Sequence, residues 1–204
     1  MDNSRFEELF AGAPLMAILR GMGPERSLQV STTAWDLGID VVELPIQSPE
    51  DVEALRVVAA AGRERGKLVG AGTVVSAEHV AQAASAGAAF TVSPGFDLDV
   101  VRASQDAGMP SLPGVATASE VQLARKAGLT WLKAFPASLL GAQWLQAMRG
   151  PFPEARFVAT GGISATNAAE YLQAGARVVA VGSALEDPTQ LPLLASLLDR
   201  AARP

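Results

Sequence analysis

The chain has 204 residues, 49% of them hydrophobic and 18% charged, with a net charge of -5. That composition supplies one sizeable core, so residues 1–204 are expected to form one compact domain; it excludes a disordered chain and a polycationic nucleic-acid surface. No cysteine and a single histidine, His79, exclude disulfide frameworks, thiol catalysis and the Cys/His zinc sites that need three or four such ligands.

In chain order, the start MDNSRFEELF carries acids where a secretory leader needs a basic segment, and a short capping helix is expected near residues 4–11. Every apolar run is too short, or too broken by glycine and charge, to span a bilayer, so a soluble cytoplasmic protein without membrane contact is expected. The first apolar run is LMAILR, from Leu15. After it a glycine recurs between a helical stretch and an apolar run, at Gly38, Gly66, Gly87, Gly108, Gly128, Gly150 and Gly175. A glycine just past a helix reaches the left-handed conformation without a Cβ clash, so each reads as the end of a helix followed by a short loop into a strand. The intervening Ala-rich stretches predict helices, for example over 50–65, 77–86, 167–174 and, last, 191–202. Runs such as VVEL, RFVA and RVVAV have the continuous apolar character of strands buried on both faces.

Eight strand–helix units in sequence predict an α/β fold of the (β/α)8 TIM-barrel type. The fifth strand, over 109–115, is the weakest because it contains two prolines. A doubly wound open sheet is the competitor, and no early GxGxxG follows the first run to support it.

In such a barrel the reactive groups sit at the C-terminal ends of the strands. The polar residues that interrupt or end the apolar runs are few: Arg20, Glu43, Thr73, Ser93 before Pro94, Lys133, and Thr160 before Gly161. Lys133 is the sharpest. It lies inside TWLKAF, in a chain with 13 arginines and three lysines. An arginine keeps its proton near neutrality, whereas an ammonium taken out of water loses it readily, so only lysine can supply a nucleophilic amine there. The structural alternative is a strand-end lysine that reaches water or pairs with a carboxylate. Glu43 is the second anomaly, since a carboxylate inside a strand is rarely buried without a partner or a role. It is expected either to meet Lys133 across the barrel mouth and move protons or to form a structural salt bridge with Arg20. The third signal is paired: ATGGIS (159–164) and AVGSAL (180–185) follow the last two strands, where backbone N–H groups can close on a phosphate. His79 reads as a surface residue. Trp35, Trp131 and Trp144 form no aromatic ladder, so no nucleic acid is expected as a partner.

With these residues in place, the sequence resembles the class I aldolases of the 2-keto-3-deoxy-6-phosphogluconate and -galactonate group. AILRG (17–21), VVELPIQSP (41–49), GAGTV (70–74), SPG (93–95), PGVATASE (113–120), LKAFPAS (132–138) and ATGGI (159–163) carry the resemblance over nearly the whole chain. It implies that Lys133 forms a Schiff base with the keto carbon and that Glu43 moves protons. It further implies that Arg20 and Thr73 hold the carboxylate and keto end, with Pro94, Phe135 and Thr160 also contacting substrate. Gly161, Gly162, Gly182 and Ser183 would bind the phosphate. No metal and no cofactor are implied, the partners being pyruvate and a phosphorylated 2-keto-3-deoxy sugar acid, and the assembly a homotrimer.

One departure bears on the substrate. Gluconate-type members carry an arginine four positions after the glutamate; here that position is Gln47, within ELPIQSP, which resembles the galactonate-type pattern, as does PGVATASE. Thr160 leans the other way. The resemblance therefore favours cleavage of 2-dehydro-3-deoxy-6-phosphogalactonate to pyruvate and D-glyceraldehyde 3-phosphate. The gluconate epimer or 4-hydroxy-2-oxoglutarate is the alternative, and a non-catalytic phosphosugar-binding barrel the remote one.

Overall fold

The computed structural model describes residues 3–11 and 14–201. A short helix, α1 (Arg5–Leu9), precedes β1 (Leu15–Ile18), and strands and helices then alternate: α2 (Gly23–Asp36), β2 (Val41–Pro45), α3 (Pro49–Glu64), β3 (Leu68–Gly72), α4 (Ala77–Ser85), β4 (Thr91–Val92) and α5 (Leu98–Asp106). The second half continues with β5 (Ser111–Leu112), β6 (Gly114–Val115), α6 (Ala118–Lys126), β7 (Trp131–Ala134), α7 (Ala137–Leu140), α8 (Ala142–Arg149) and β8 (Arg156–Ala159). It closes with α9 (Ala168–Gln173), β9 (Val178–Val181), a 3-10 turn (Ser183–Leu185) and α10 (Leu191–Ala201). The predicted end of the last helix, Ala202, lies outside the described residues.

All strand pairs are parallel, in the order β5-β4-β3-β2-β1-β9-β8-β7-β6. The two ends of that order, β5 and β6, are one run of chain separated by Pro113, so the sheet curls into a barrel whose ring is interrupted there. Before the proline, Ser111 pairs with Thr91; after it, Gly114 pairs with Lys133. Proline has no N–H to give a ladder, and its carbonyl instead accepts from the Lys133 N–H at 2.8 Å. The weak fifth strand is thus two short bridges to opposite neighbours.

Side-chain parity then decides what the barrel holds. Leu15, Ala17, Val42, Leu44, Leu132, Ala134, Phe157, Ala159, Val179 and Val181 pack into the large core under the helices. The intervening Met16, Val41, Trp131, Val158, Val178 and Ala180 form a second cluster inside the ring, capped by Phe6 of α1 and Phe10 just after it. Because side chains alternate along a strand, the next inward position on β2 is Glu43 and on β7 is Lys133, and the one beyond β8 is Thr160. Each polar group therefore stands one pleat above an apolar one, toward the C-terminal rim. Helix caps fix the loops at that rim: Ser48, Ser76 and Thr117 accept the N–H groups of Asp51, His79 and Glu120. Of the seven recurrent glycines, six have positive φ; Gly150, at φ -60°, ends α8 with ordinary right-handed geometry.

Candidate active site

Lys133 is 4% exposed, and its Nζ lies 4.8 Å from the centre of the Phe135 ring. It faces a cleft of about 630 Å³ lined also by Arg20, Phe135, Thr160, Gly161, Gly162, Gly182 and Ser183. That volume falls within the usual range for small-ligand pockets. Local folding explains the convergence. The Ala137 and Ser138 N–H groups donate to the Thr160 and Gly161 carbonyls at 2.7 and 3.0 Å, which ties the loop after β7 to the loop after β8. Gly161 then lies against Phe135, where a Cβ would come within 3.1 Å of the ring, and a Cβ on Gly162 would strike the Ser138 side chain at 2.5 Å. Both glycines have positive φ, so a side chain at either would be strained as well as crowded.

Glu43 is fully buried, and neither carboxylate oxygen has a hydrogen-bond partner. Room for it comes from β3: a Cβ on Gly72 would sit 2.0 Å from Glu43 Oε1. Burial pushes the Glu43 carboxyl above its ordinary value, against the opposing pull of the Lys133 and Arg20 charges. The structural alternative, a salt bridge with Arg20, does not form: no ion pair within 4 Å joins Glu43 to Arg20 or to Lys133, and Arg20 Nη1 donates to Gln47 Oε1 instead. The cause is placement. Arg20 is exposed at the rim, whereas Glu43 lies a layer below it, inside the ring. A carboxylate left unpaired at that depth is expensive, and a proton or an incoming polar ligand relieves it.

Thr160 shares the buried oxygen without a partner, and unlike Glu43 it lines the cleft. Ser31, Trp35 and Ser111 also bury an unpartnered polar atom, but none of them lines it.

Three of the predicted site residues, Glu43, Thr73 and Pro94, are not among the residues that line the cleft. Thr73 does not line the cleft; it sits at φ 57°, rare for a β-branched residue, with its carbonyl 3.3 Å from His79 Nδ1. Pro94 is also outside the lining, and its carbonyl occupies the space that a Cβ on Gly114 would need. His79 is a partly exposed residue outside this cleft, with its ring nitrogen also 3.4 Å from the Val75 N–H. The cleft further includes Ile18, Met22, Ile163, Ala180 and Glu186. Ile18 and Ala180 follow from strand parity, but Glu186 carried no sequence signal, since it lies beyond the last strand. Among the described residues there is no cluster of three or more His, Asp or Glu side chains placed to hold a metal ion, and no helix is long and apolar enough to cross a membrane.

Comparison with known proteins agrees with this geometry. The sequence profile of the KDPG and KHG aldolases matches residues 6–192. A probable 2-dehydro-3-deoxy-6-phosphogalactonate aldolase of Rhizobium meliloti (strain 1021) is 37% identical over 176 residues, covering 86% of this chain and 82% of its own. A solved structure described as native KDPGal superposes with a TM-score of 0.83 at 32% identity, over 94% of this chain and 97% of that one. The KDPG aldolase of Legionella pneumophila, solved with pyruvate captured as a covalent carbinolamine, gives a TM-score of 0.80 at 30% identity, over 95% of this chain and 96% of that one. A buried lysine amine at the rim of a barrel, two glycine loops beside it and a match along almost the whole length lead to one conclusion: the chain belongs to the KDPG and KHG aldolase family.

Proposed function

We propose that the chain is a lysine Schiff-base aldolase that cleaves 2-dehydro-3-deoxy-6-phosphogalactonate to pyruvate and D-glyceraldehyde 3-phosphate. The observation that carries the reading is the Lys133 amine, nearly dry, in the same cleft as the Gly161–Gly162 and Gly182–Ser183 loops. Its free amine adds to the C2 carbonyl, and loss of water from the carbinolamine gives an iminium. Glu43 accepts the C4 hydroxyl proton, the C3–C4 bond breaks, and its electron pair moves into the iminium to form an enamine while the aldehyde departs. Protonation at C3 and hydrolysis then release pyruvate and free the amine. Arg20 holds the C1 carboxylate with the donors that Gln47 leaves unused. Phe135 walls the reacting carbon, and the Thr160 hydroxyl, without a protein partner, is placed to meet a substrate oxygen. The glycine loops and Ser183 receive the phosphate. Thr73 and Pro94 support the rim without lining the cleft.

The galactonate preference rests on Gln47 and on the similarity to the galactonate-type relative; Thr160 and the similarity to the Legionella enzyme favour the gluconate epimer. Kinetics on both phosphorylated C4 epimers decides between them. A kcat/KM at least about fivefold higher for the galactonate epimer is expected, since a kcal/mol or two is enough for such discrimination. The reverse preference assigns the gluconate reaction. The reading carries with it assembly as a homotrimer in the cytoplasm, which light scattering of the purified chain and cell fractionation test.

A further inference from the structure

The phosphate end of the cleft contains a residue of the wrong charge. Glu186 lines the same wall as Gly182 and Ser183, and a carboxylate there repels a phosphate dianion. Its Oε2 accepts two hydrogen bonds from Arg26, from Nε at 3.3 Å and from Nη2 at 3.2 Å. The third nitrogen of that guanidinium, Nη1, donates to Gln29 Oε1 at 2.7 Å. Arg26 stands in the first turns of α2, which packs on the Ser183–Leu185 turn, so the helix and the phosphate loop hold the guanidinium beside the cleft wall. Both partners are roughly two-fifths exposed, with side-chain exposures of 46% and 38%, and an ion pair that wet is weak and exchanges readily. Arg26 does not itself line the cleft but reaches it through Glu186; the two cations that do line it, Arg20 and Lys133, are assigned to the keto-acid end by the reading above.

We propose that Arg26 is the charged reader of the phosphate and that Glu186 keeps it there while the cleft is empty. The idea rests on the phosphosugar reading above. On binding, the phosphate competes with Glu186 for the same guanidinium donors. The dianion is the stronger acceptor, so the Arg26 contact discriminates phosphorylated from unphosphorylated substrate, and Glu186 sets how tightly the product is held.

The test measures kcat/KM for the phosphorylated sugar acid and for its unphosphorylated analogue on the parent, Arg26→Met, Arg26→Lys and Glu186→Gln. Arg26→Met is expected to lower the preference for phosphate about tenfold, almost entirely through KM, with turnover of the unphosphorylated analogue unchanged. Arg26→Lys restores part of the preference, and Glu186→Gln lowers KM for the phosphorylated substrate. A preference untouched in Arg26→Met, or an equal loss on both substrates, overturns the proposal. A parent without any preference for phosphate sinks the phosphosugar reading itself and is distinguishable from either result. Trapping of pyruvate on Lys133 with borohydride, expected to be the same in all four proteins, separates a local effect from a misfolded variant.

Discussion

Glu43 shows how one residue links stability to chemistry. Its ordinary carboxyl value is 4.5, and burial raises it in the folded chain despite the charges of Lys133 and Arg20. Above the ordinary value the unfolded chain has released this proton while the folded chain keeps it. The resulting stabilisation is complete on the acid side and is lost as pH rises through the folded value, beyond which the buried charge is an uncompensated penalty. Glu43→Gln, which cannot ionise, is therefore expected to melt at a higher temperature than the parent at alkaline pH, with the difference shrinking toward acid. Its kcat should fall by about 10²–10⁴-fold, as for loss of a general acid–base group. Melting curves from about pH 4 to about pH 9 check the first effect; a melting difference independent of pH would contradict it. Lys133 and Glu43 were legible in the sequence because a charge inside an apolar run is an anomaly in its own right. Whether Thr73 and Pro94 line the cleft was not legible, because a residue just past a strand end can face it or not; neither does, and the Thr73 carbonyl lies against His79 Nδ1.

Among the elements, the break in the fifth strand is the weak point of the ring, and the N-terminal segment compensates for it. Asn3 is 1% exposed. Its Nδ2 donates to the Ser111 and Trp131 carbonyls at 3.1 and 2.8 Å, and its Oδ1 accepts from the Thr130 and Trp131 N–H groups at 3.0 and 3.2 Å. One side chain thus joins β5 to β7, the strands on either side of the β5–β6 break. Asn3→Ala leaves several buried backbone groups without partners and is expected to destabilise the fold by about 1–3 kcal/mol. Urea denaturation measures it, and a loss under about 0.5 kcal/mol, the size of an ordinary surface change, would contradict this role. The two prolines revealed the weakness of this strand in the sequence. The asparagine did not stand out, because nothing in MDNSRFEELF distinguishes a buried amide that bridges strands from a polar residue at a chain end. Helix positions were more legible, since the glycines that end them have a conformational reason to recur, and only Gly150 departs from it.

Across the whole molecule, strand parity turns eight short apolar runs into a layered interior. Phe6, Phe10, Trp131 and Val158 fill the lower ring, and the next inward positions raise Glu43, Lys133 and Thr160 toward the rim. The loops after β8 and β9 are neighbours because those strands are paired, which brings two glycine segments some twenty residues apart in sequence to one side of the cleft. A chain with a net charge of -5 thereby gathers Arg20, Lys133 and the two glycine loops in one cleft, a lining suited to an anionic substrate. The account as a whole depends on the Lys133 amine attacking a carbonyl. Reduction with borohydride in the presence of pyruvate at neutral pH, followed by peptide mass spectrometry, measures this directly. The prediction is a reduced pyruvate adduct on Lys133 alone, absent from Lys133→Met; an unmodified Lys133, or labelling spread over Lys67 and Lys126, would contradict it.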